Sequence, residues 1–235
     1  MKVIALNGSP RSERSSTMKL TRAFLEGTQW TDTEIIDISK LNVRGCTGCY
    51  SCWTKTPGKC VINDDMTDIL PKLIEADIII WSFPLYSCSF PGQMKCFMDR
   101  RLPIALPFMD ESSATGEHPL RHDLSKQRHF FISTCGFWTA EGNYDSVIKM
   151  LEHGGKGANH EDFTIFCGQG GLFEAADMAD DMGLNALVEG YLNTMRQAGS
   201  EYANGGMKKE TRDLLSQPLI PKEAYESAAN ASWGV

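Results

Sequence analysis

Residues 77–83, DIIIWSF, are apolar at nearly every position. A strand with one wet face alternates apolar and polar side chains, so a continuous run of this kind must be covered on both faces. Four more short runs, at 3–6, 33–38, 129–134 and 162–168, share its β-branched and aromatic character. Between them lie segments with helical spacing. Met18, Leu20, Ala23, Phe24 and Leu25 mark the inner side of one, and Met66, Ile69, Leu70, Leu73 and Ile74 that of the next. The latter has Asp64 or Asp65 at its start and Pro71 inside it. Met94, Phe97 and Met98 turn inward from 91–101, and 144–154 and 182–199 supply two further amphipathic stretches. Strands that alternate with helices predict an α/β protein, a three-layer α/β/α sandwich around a five-stranded parallel sheet. A chain of 235 residues without internal repeat or low-complexity linker is expected to form a single domain over 1–235. Two segments fall outside the alternation. One is a Pro-, Ser- and His-rich insertion at about 102–128, readable as a lid, an oligomer contact or a plain surface loop. The other is a C-terminal extension from about 205.

Composition narrows the function classes. A formal charge of −7 argues against a general nucleic-acid binder, which needs clustered Lys and Arg. No apolar run approaches the roughly 20 residues of a membrane helix. The start, MKVIALNGSP, reads as a first strand and not as an export signal, so a cytoplasmic location is expected. In that reducing setting the eight cysteines are expected as thiols or metal ligands more than as disulfides.

Ligands of an open parallel sheet sit beyond the carboxyl ends of its strands, where strand order reverses. Three loops leave such ends. The first, NGSPRSERSST at 7–17, brings Ser9, Arg11, Ser15, Ser16 and Thr17 to a helix N-terminus, a donor-rich cradle for a phosphate. It has neither the Lys of a P-loop nor the G-x-G-x-x-G of a dinucleotide clamp. Ser and Thr there could equally serve only as helix caps. The second, SFPLYSCSFPG at 82–92, offers Phe83 and Tyr86 between stiffening prolines, and the third, STCGFWTAEGNY at 133–144, offers Phe137 and Trp138 beside Gly136. Together they describe one phosphate and one flat ring.

In these three motifs, NGSPR…SST, PLYS…PGQMKCFMDR and STCGF, the chain resembles the flavodoxin-like NAD(P)H-dependent FMN reductases. The resemblance implies FMN as cofactor and NAD(P)H as co-substrate. It places the phosphate at Ser9, Arg11, Ser15, Ser16 and Thr17. The ring would lie beside Pro84, Leu85, Tyr86 and Ser87, with backbone groups from Thr134, Cys135, Gly136 and Phe137. Cys135 stands where the family usually has glycine. The resemblance further implies a homodimer or homotetramer. Hydride chemistry belongs to the flavin, so no acid–base residue is singled out. The five histidines show no metal-ligand spacing and are expected on the surface or in packing.

Cys46, Cys49, Cys52 and Cys60 follow C-x2-C-x2-C-x7-C. The first three spacings equal those of bacterial ferredoxin ligands; the fourth cysteine comes later and precedes Val61 instead of proline. A subset of the family, the iron–sulfur flavoproteins, resembles this run closely and implies a [4Fe–4S] cluster on these four residues. A zinc site fits less well, because structural zinc usually pairs two separated knuckles. A Cys49–Cys52 redox disulfide and a metal-free packing loop remain open. Cys88 and Cys96 are expected to pack, and Cys167 to lie in a buried strand. Three functions follow: an FMN-dependent oxidoreductase passing electrons from NAD(P)H to a flavin, quinone or other small acceptor; an iron–sulfur flavoprotein exchanging electrons with a ferredoxin-like protein; or a non-enzymatic redox sensor or metal-binding protein.

Overall fold

The five apolar runs all become strands of one sheet. The computed structural model describes residues 1–235 except 112, 114, 115, 155–159, 180 and 235. In chain order the elements are β1 (Val3–Asn7), α1 (Ser16–Thr28), β2 (Thr33–Asp37), α2 (Ser51–Thr54), α3 (Met66–Glu75), β3 (Ile78–Pro84), α4 (Gly92–Asp99), β4 (Arg128–Thr134), α5 (Asp145–Gly154), β5 (Thr164–Cys167), α6 (Leu172–Met178), α7 (Met182–Ala203), α8 (Lys209–Ser216) and α9 (Lys222–Ser232). The strands pair in the order β2-β1-β3-β4-β5, every pair parallel. The sequential order therefore reverses between β1 and β3, which makes their carboxyl ends the place for a ligand. Asn7 is level with Ser82, and Pro84 with Thr134, so the loops after β1, β3 and β4 emerge side by side.

Alternate residues of the buried strands feed two cores. Ile4, Leu6, Ile79, Trp81 and Phe83 pack with Leu73, Met94 and Phe97 on one face. Val3, Ala5, Ile78, Ile80 and Phe130 pack with Phe24, Tyr191, Met195 and Ala198 on the other. On that second face α1 and α7 touch backbone to backbone. A Cβ on Gly27 would stand 1.8 Å from the Arg196 carbonyl oxygen, and one on Gly199 would stand 2.0 Å from that of Phe24. Only glycine permits such an approach. Pro71 is accommodated inside α3 on its solvent side.

The structure departs from the sequence-based expectations at several points. The strand expected over 162–168 begins only at Thr164, because His160–Asp162 forms a 3-10 turn. The extension from about 205 folds into α8 and α9, and α6 is a further helix beyond the sequence-based expectation. The insertion carries one 3-10 turn, Leu102–Ile104, and an isolated bridge between Ala105 and Leu120. It lies against the cysteine loop of its own chain. Trp53 Nε1 donates to the Ala105 carbonyl at 3.0 Å, its ring packs on His118, and Arg121 crosses Gly58. Cys88, expected to pack, is exposed, and Cys96 is half-buried.

Candidate functional site

The cleft at the reversal point is built first by the loop after β1. Asn7 staples it: Oδ1 accepts from the Ser9 amide at 3.0 Å and Nδ2 donates to the Ser12 carbonyl at 3.2 Å. Gly8 sits on Met94 of α4, with no room for a Cβ. Ser15 then caps α1, its Oγ accepting from the Met18 amide at 3.3 Å. Ser9 Oγ accepts from the Arg11 amide at 3.2 Å. Both hydroxyls are buried, and among the described residues neither donates its own proton. The Ser16 and Thr17 amides open α1 and likewise have no partner among the described hydrogen bonds. Idle hydroxyl protons and helix-end amides beside one cleft form a site that fits a phosphate. Arg11 adds a guanidinium, held by Glu174 of α6.

Ser9, Arg11, Ser15, Ser16, Thr17, Pro84, Leu85, Tyr86, Thr134, Cys135 and Gly136 line this one cleft. Ser87 and Phe137 do not line it. Ser87 and Cys88 both have positive φ and form the tip of a tight turn closed by reciprocal Tyr86–Ser89 backbone bonds. Phe137 is half exposed, and its carbonyl accepts from the Gln169 amide. The loops are tied to one another: Thr17 and Thr134 share a hydroxyl contact of 2.6 Å, and the Leu85 amide donates to Thr134 at 2.8 Å. Cys135 turns its thiol inward to the Thr139 carbonyl, and burial raises its pKa. Gly170 and Gly171 also line the cleft, and Tyr225 of α9 donates to the Gly136 carbonyl at 2.8 Å. The run GQGG at 168–171, leaving the last strand, was the sequence signal for that wall. Nothing in the chain's pattern pointed to Tyr225.

The four cysteines of the 46–60 loop line a single small cavity of about 20 Å3 with Arg100. Gly48 and Tyr50 take positive φ, which turns the chain twice within three residues, and α2 supplies one helical turn to Cys52. Cys52 is buried, and its thiol pKa is raised by that burial and by the charges of Cys60, Cys46 and Cys49. Hydrogen bonds from Ser51, its side chain first and then its amide, bring the Cys49 thiol down to about 7. All eight cysteines are free thiols. No three His, Cys, Asp or Glu side chains among the described residues are close enough to share one metal ion. A single zinc would need its sulfurs about 3.8 Å apart, from tetrahedral Zn–S bonds of ~2.3 Å. A cubane cluster takes one thiolate at each iron corner and holds them further apart.

Arg100, just past α4, closes the mouth of this loop. Its Nη1 donates to the Arg44 carbonyl at 2.7 Å and to Asp64 Oδ2 at 2.6 Å; its Nη2 donates to Asp64 Oδ1 at 2.8 Å and to the Ile62 carbonyl at 3.3 Å. Asp64 in turn accepts from the Arg44 and Met66 amides. Both chain ends of the cysteine loop are thus fixed to one buried guanidinium. Arg100 Nε is inaccessible and has no hydrogen-bond partner among the described residues, and the Cys60 sulfur is near enough to act on the guanidinium. An orphaned N–H beside a cysteine sulfur fits a site for thiolates or cluster sulfide.

Comparison with known proteins agrees with this geometry. The sequence profile of the NADPH-dependent FMN reductases matches residues 1–121. An iron-sulfur flavoprotein of Methanocaldococcus jannaschii is 37% identical over 117 residues, 49% of this chain and 60% of that one. One of Archaeoglobus fulgidus is 36% identical over 105 residues, 44% of this chain and 46% of that protein. The matches thus span about half the length of these relatives. The FMN-dependent NADH-azoreductase of Bacillus anthracis, solved with FMN, superposes with a TM-score of 0.57 over 86% of this chain and 99% of its own at 19% identity, a likeness of fold. With the profile covering more than half of its length, the chain belongs to the NADPH-dependent FMN reductase family.

Proposed function

We propose that the protein is an FMN-dependent oxidoreductase that takes electrons from NAD(P)H and passes them to a flavin, quinone or other small acceptor. The observation that carries this reading is the convergence of idle donors at the cleft: the Ser9 and Ser15 hydroxyls and the Ser16 and Thr17 amides. FMN bound there supplies reversible uptake of one or two electrons. Ser9, Ser15 and the helix end would hold the phosphate, and Arg11 would offset its charge. The enclosed part of the cleft is about 150 Å3, below the usual 300–1,000 Å3 of a cofactor pocket. The ring would therefore extend past it, where Tyr86 and Phe137, 44% and 50% exposed, offer aromatic faces. Pro84, Leu85 and the Thr134–Gly136 backbone would fix its edge.

A second reading is favoured by the cysteine loop. With Arg100 as clamp, Cys46, Cys49, Cys52 and Cys60 would hold a [4Fe–4S] cluster, and the protein would exchange electrons with a ferredoxin-like partner. Helix α4 joins the two regions: Met94 packs under Gly8 of the phosphate loop, and Arg100, six residues on, holds the cysteine loop. At 1.5 Å per residue that is about 9 Å along the helix. Steady-state assays separate the two. Rapid NADPH oxidation with added quinone supports the first reading. Reduction by ferredoxin with negligible NADPH turnover supports the second, and a chain that never binds flavin overturns both.

A further inference from the structure

A cavity of about 1060 Å3 lies at the other end of the sheet from the cleft proposed for the flavin. Strand β4 runs from Arg128 at this cavity to Thr134 at the cleft, six residue steps or about 20 Å. Trp81, Phe131, Phe163 and Tyr202 contribute aromatic rings to the cavity walls, and Arg101, Arg128, Lys208 and Arg212 bring positive charge against the single carboxylate of Asp162, in a chain with a formal charge of −7.

Arg101 is the key group. Its guanidinium lies 5.0 Å from the Trp81 ring centroid, and its Nε is inaccessible with no hydrogen-bond partner among the described residues. Arg128 stacks over Tyr202 at 5.3 Å. Among the described residues neither arginine forms an ion pair with a carboxylate. The cavity's own Asp162 is engaged by Arg212 at 2.7 Å, and Lys208 is engaged by Glu201 at 3.9 Å. Burial lowers the Arg101 pKa to about 10, which leaves it charged at neutral pH. His129 Nδ1 accepts from Trp81 Nε1 at 2.9 Å, so its Nε2 carries the proton and is a further donor. A desolvated cation without counter-charge is costly, and an anion is what offsets it.

We propose that this cavity is a second ligand site, for an organic anion with one carboxylate or sulfonate on a flat apolar body, and that Arg101 is its counter-charge. The rings of Trp81, Phe131 and Phe163 take the body and Arg101 takes the acid group. The site is independent of the flavin chemistry at the far end of the strands, so it stands or falls separately from the functional reading above.

The test is calorimetric titration of the protein as purified with 2-naphthoate, with neutral 2-naphthamide as the matched control. Naphthoate is expected to bind once per chain and more tightly than the amide. Arg101→Gln should weaken naphthoate at least tenfold, the scale of one charge-assisted hydrogen bond, and leave naphthamide unchanged. If Arg101→Gln does not fold, the preference of the wild-type protein for naphthoate over naphthamide carries the test by itself. Absence of naphthoate binding, equal affinity of the wild type for acid and amide, or equal naphthoate affinity in wild type and Arg101→Gln overturns the proposal. So does an Arg101→Gln loss that is the same for acid and amide, since that would report lost shape and not charge.

Discussion

Arg100 and Asp64 meet in a two-pronged ion pair, at 2.6 and 2.8 Å, with side chains 1% and 0% exposed. Burial works to raise the Asp64 carboxyl, but hydrogen bonds from Arg100 and from the Arg44 amide, with the Arg100 charge, hold it below the ordinary carboxylate value. The folded pKa is thus below the unfolded one. The pair's contribution is then complete above about pH 4 and is lost as pH falls through the folded value. Arg100→Met leaves the carboxylate buried without a partner and should cost about 3–5 kcal/mol in urea unfolding. Asp64→Asn should flatten the acid limb of a plot of Tm against pH. A variant that follows the wild-type curve below pH 4 would show that the pair does not couple to folding.

His129 should titrate far below the usual histidine range. Burial first, and the neighbouring Arg101 charge second, pull its pKa down to about 4, and the bond from Trp81 requires a free Nδ1. An unfolded histidine titrates near 6.5, so stability is full above that pH and declines between it and about 4, by about 3 kcal/mol at most. Proton NMR of the imidazole signals should show one ring with a midpoint near 4, absent in His129→Gln. A His129 ring titrating between 6 and 7 would contradict the buried Trp81–His129 contact.

Two glycines of α7 should respond oppositely to the same substitution. Gly199→Ala forces a methyl to within 2.0 Å of the Phe24 carbonyl oxygen and should destabilise by about 1–3 kcal/mol as α1 and α7 are pushed apart. At Gly190 nothing lies within 4 Å of the added methyl, so alanine should gain about 0.5–1 kcal/mol from helix propensity. Equal effects in denaturant titrations would mean that the helices do not cross at Gly199 as described.

At the cleft, Ser9→Ala and Ser15→Ala should each weaken FMN about tenfold, the scale of one hydrogen bond to a charged phosphate. Quenching of FMN fluorescence on titration with protein reads this directly. Ser15→Ala should in addition cost about 1 kcal/mol of stability through the lost α1 cap. Unchanged affinity in both variants would place the phosphate elsewhere.

The central architecture was legible in the sequence because each buried strand is a short run with no polar alternation, and parallel strands need helical crossovers between them. Residues 77–83 alone require helices on both faces, and the sheet has them. The loops at 7–17, 84–87 and 134–137 could be placed because in-register parallel strands bring their following loops together. What stayed hidden depends on long-range contacts. Tyr225 reaches Gly136 across 89 residues of chain, and Arg100 reaches Arg44 across 56. No local periodicity records such pairings. Helices α8 and α9 went unread because short helices on a surface are specified by what they cover, here Tyr191 through the Leu215 carbonyl and Gly136 through Tyr225. The turn at Ser87–Cys88 escaped because positive φ at non-glycine residues leaves little trace in composition.

The most direct test is an absorption spectrum of protein purified without oxygen, with FMN, iron and acid-labile sulfide assayed on the same sample. The account predicts one FMN per chain; on the second reading, with Cys46, Cys49, Cys52 and Cys60 intact, about four irons and four sulfides accompany it under a broad absorbance that overlies the flavin bands. On that reading Arg100→Met should lower the iron and sulfide while leaving FMN in place. Flavin bands alone, without iron, would reduce the cysteine loop to a thiol or packing element. A chain without flavin at any protein concentration would contradict the central claim.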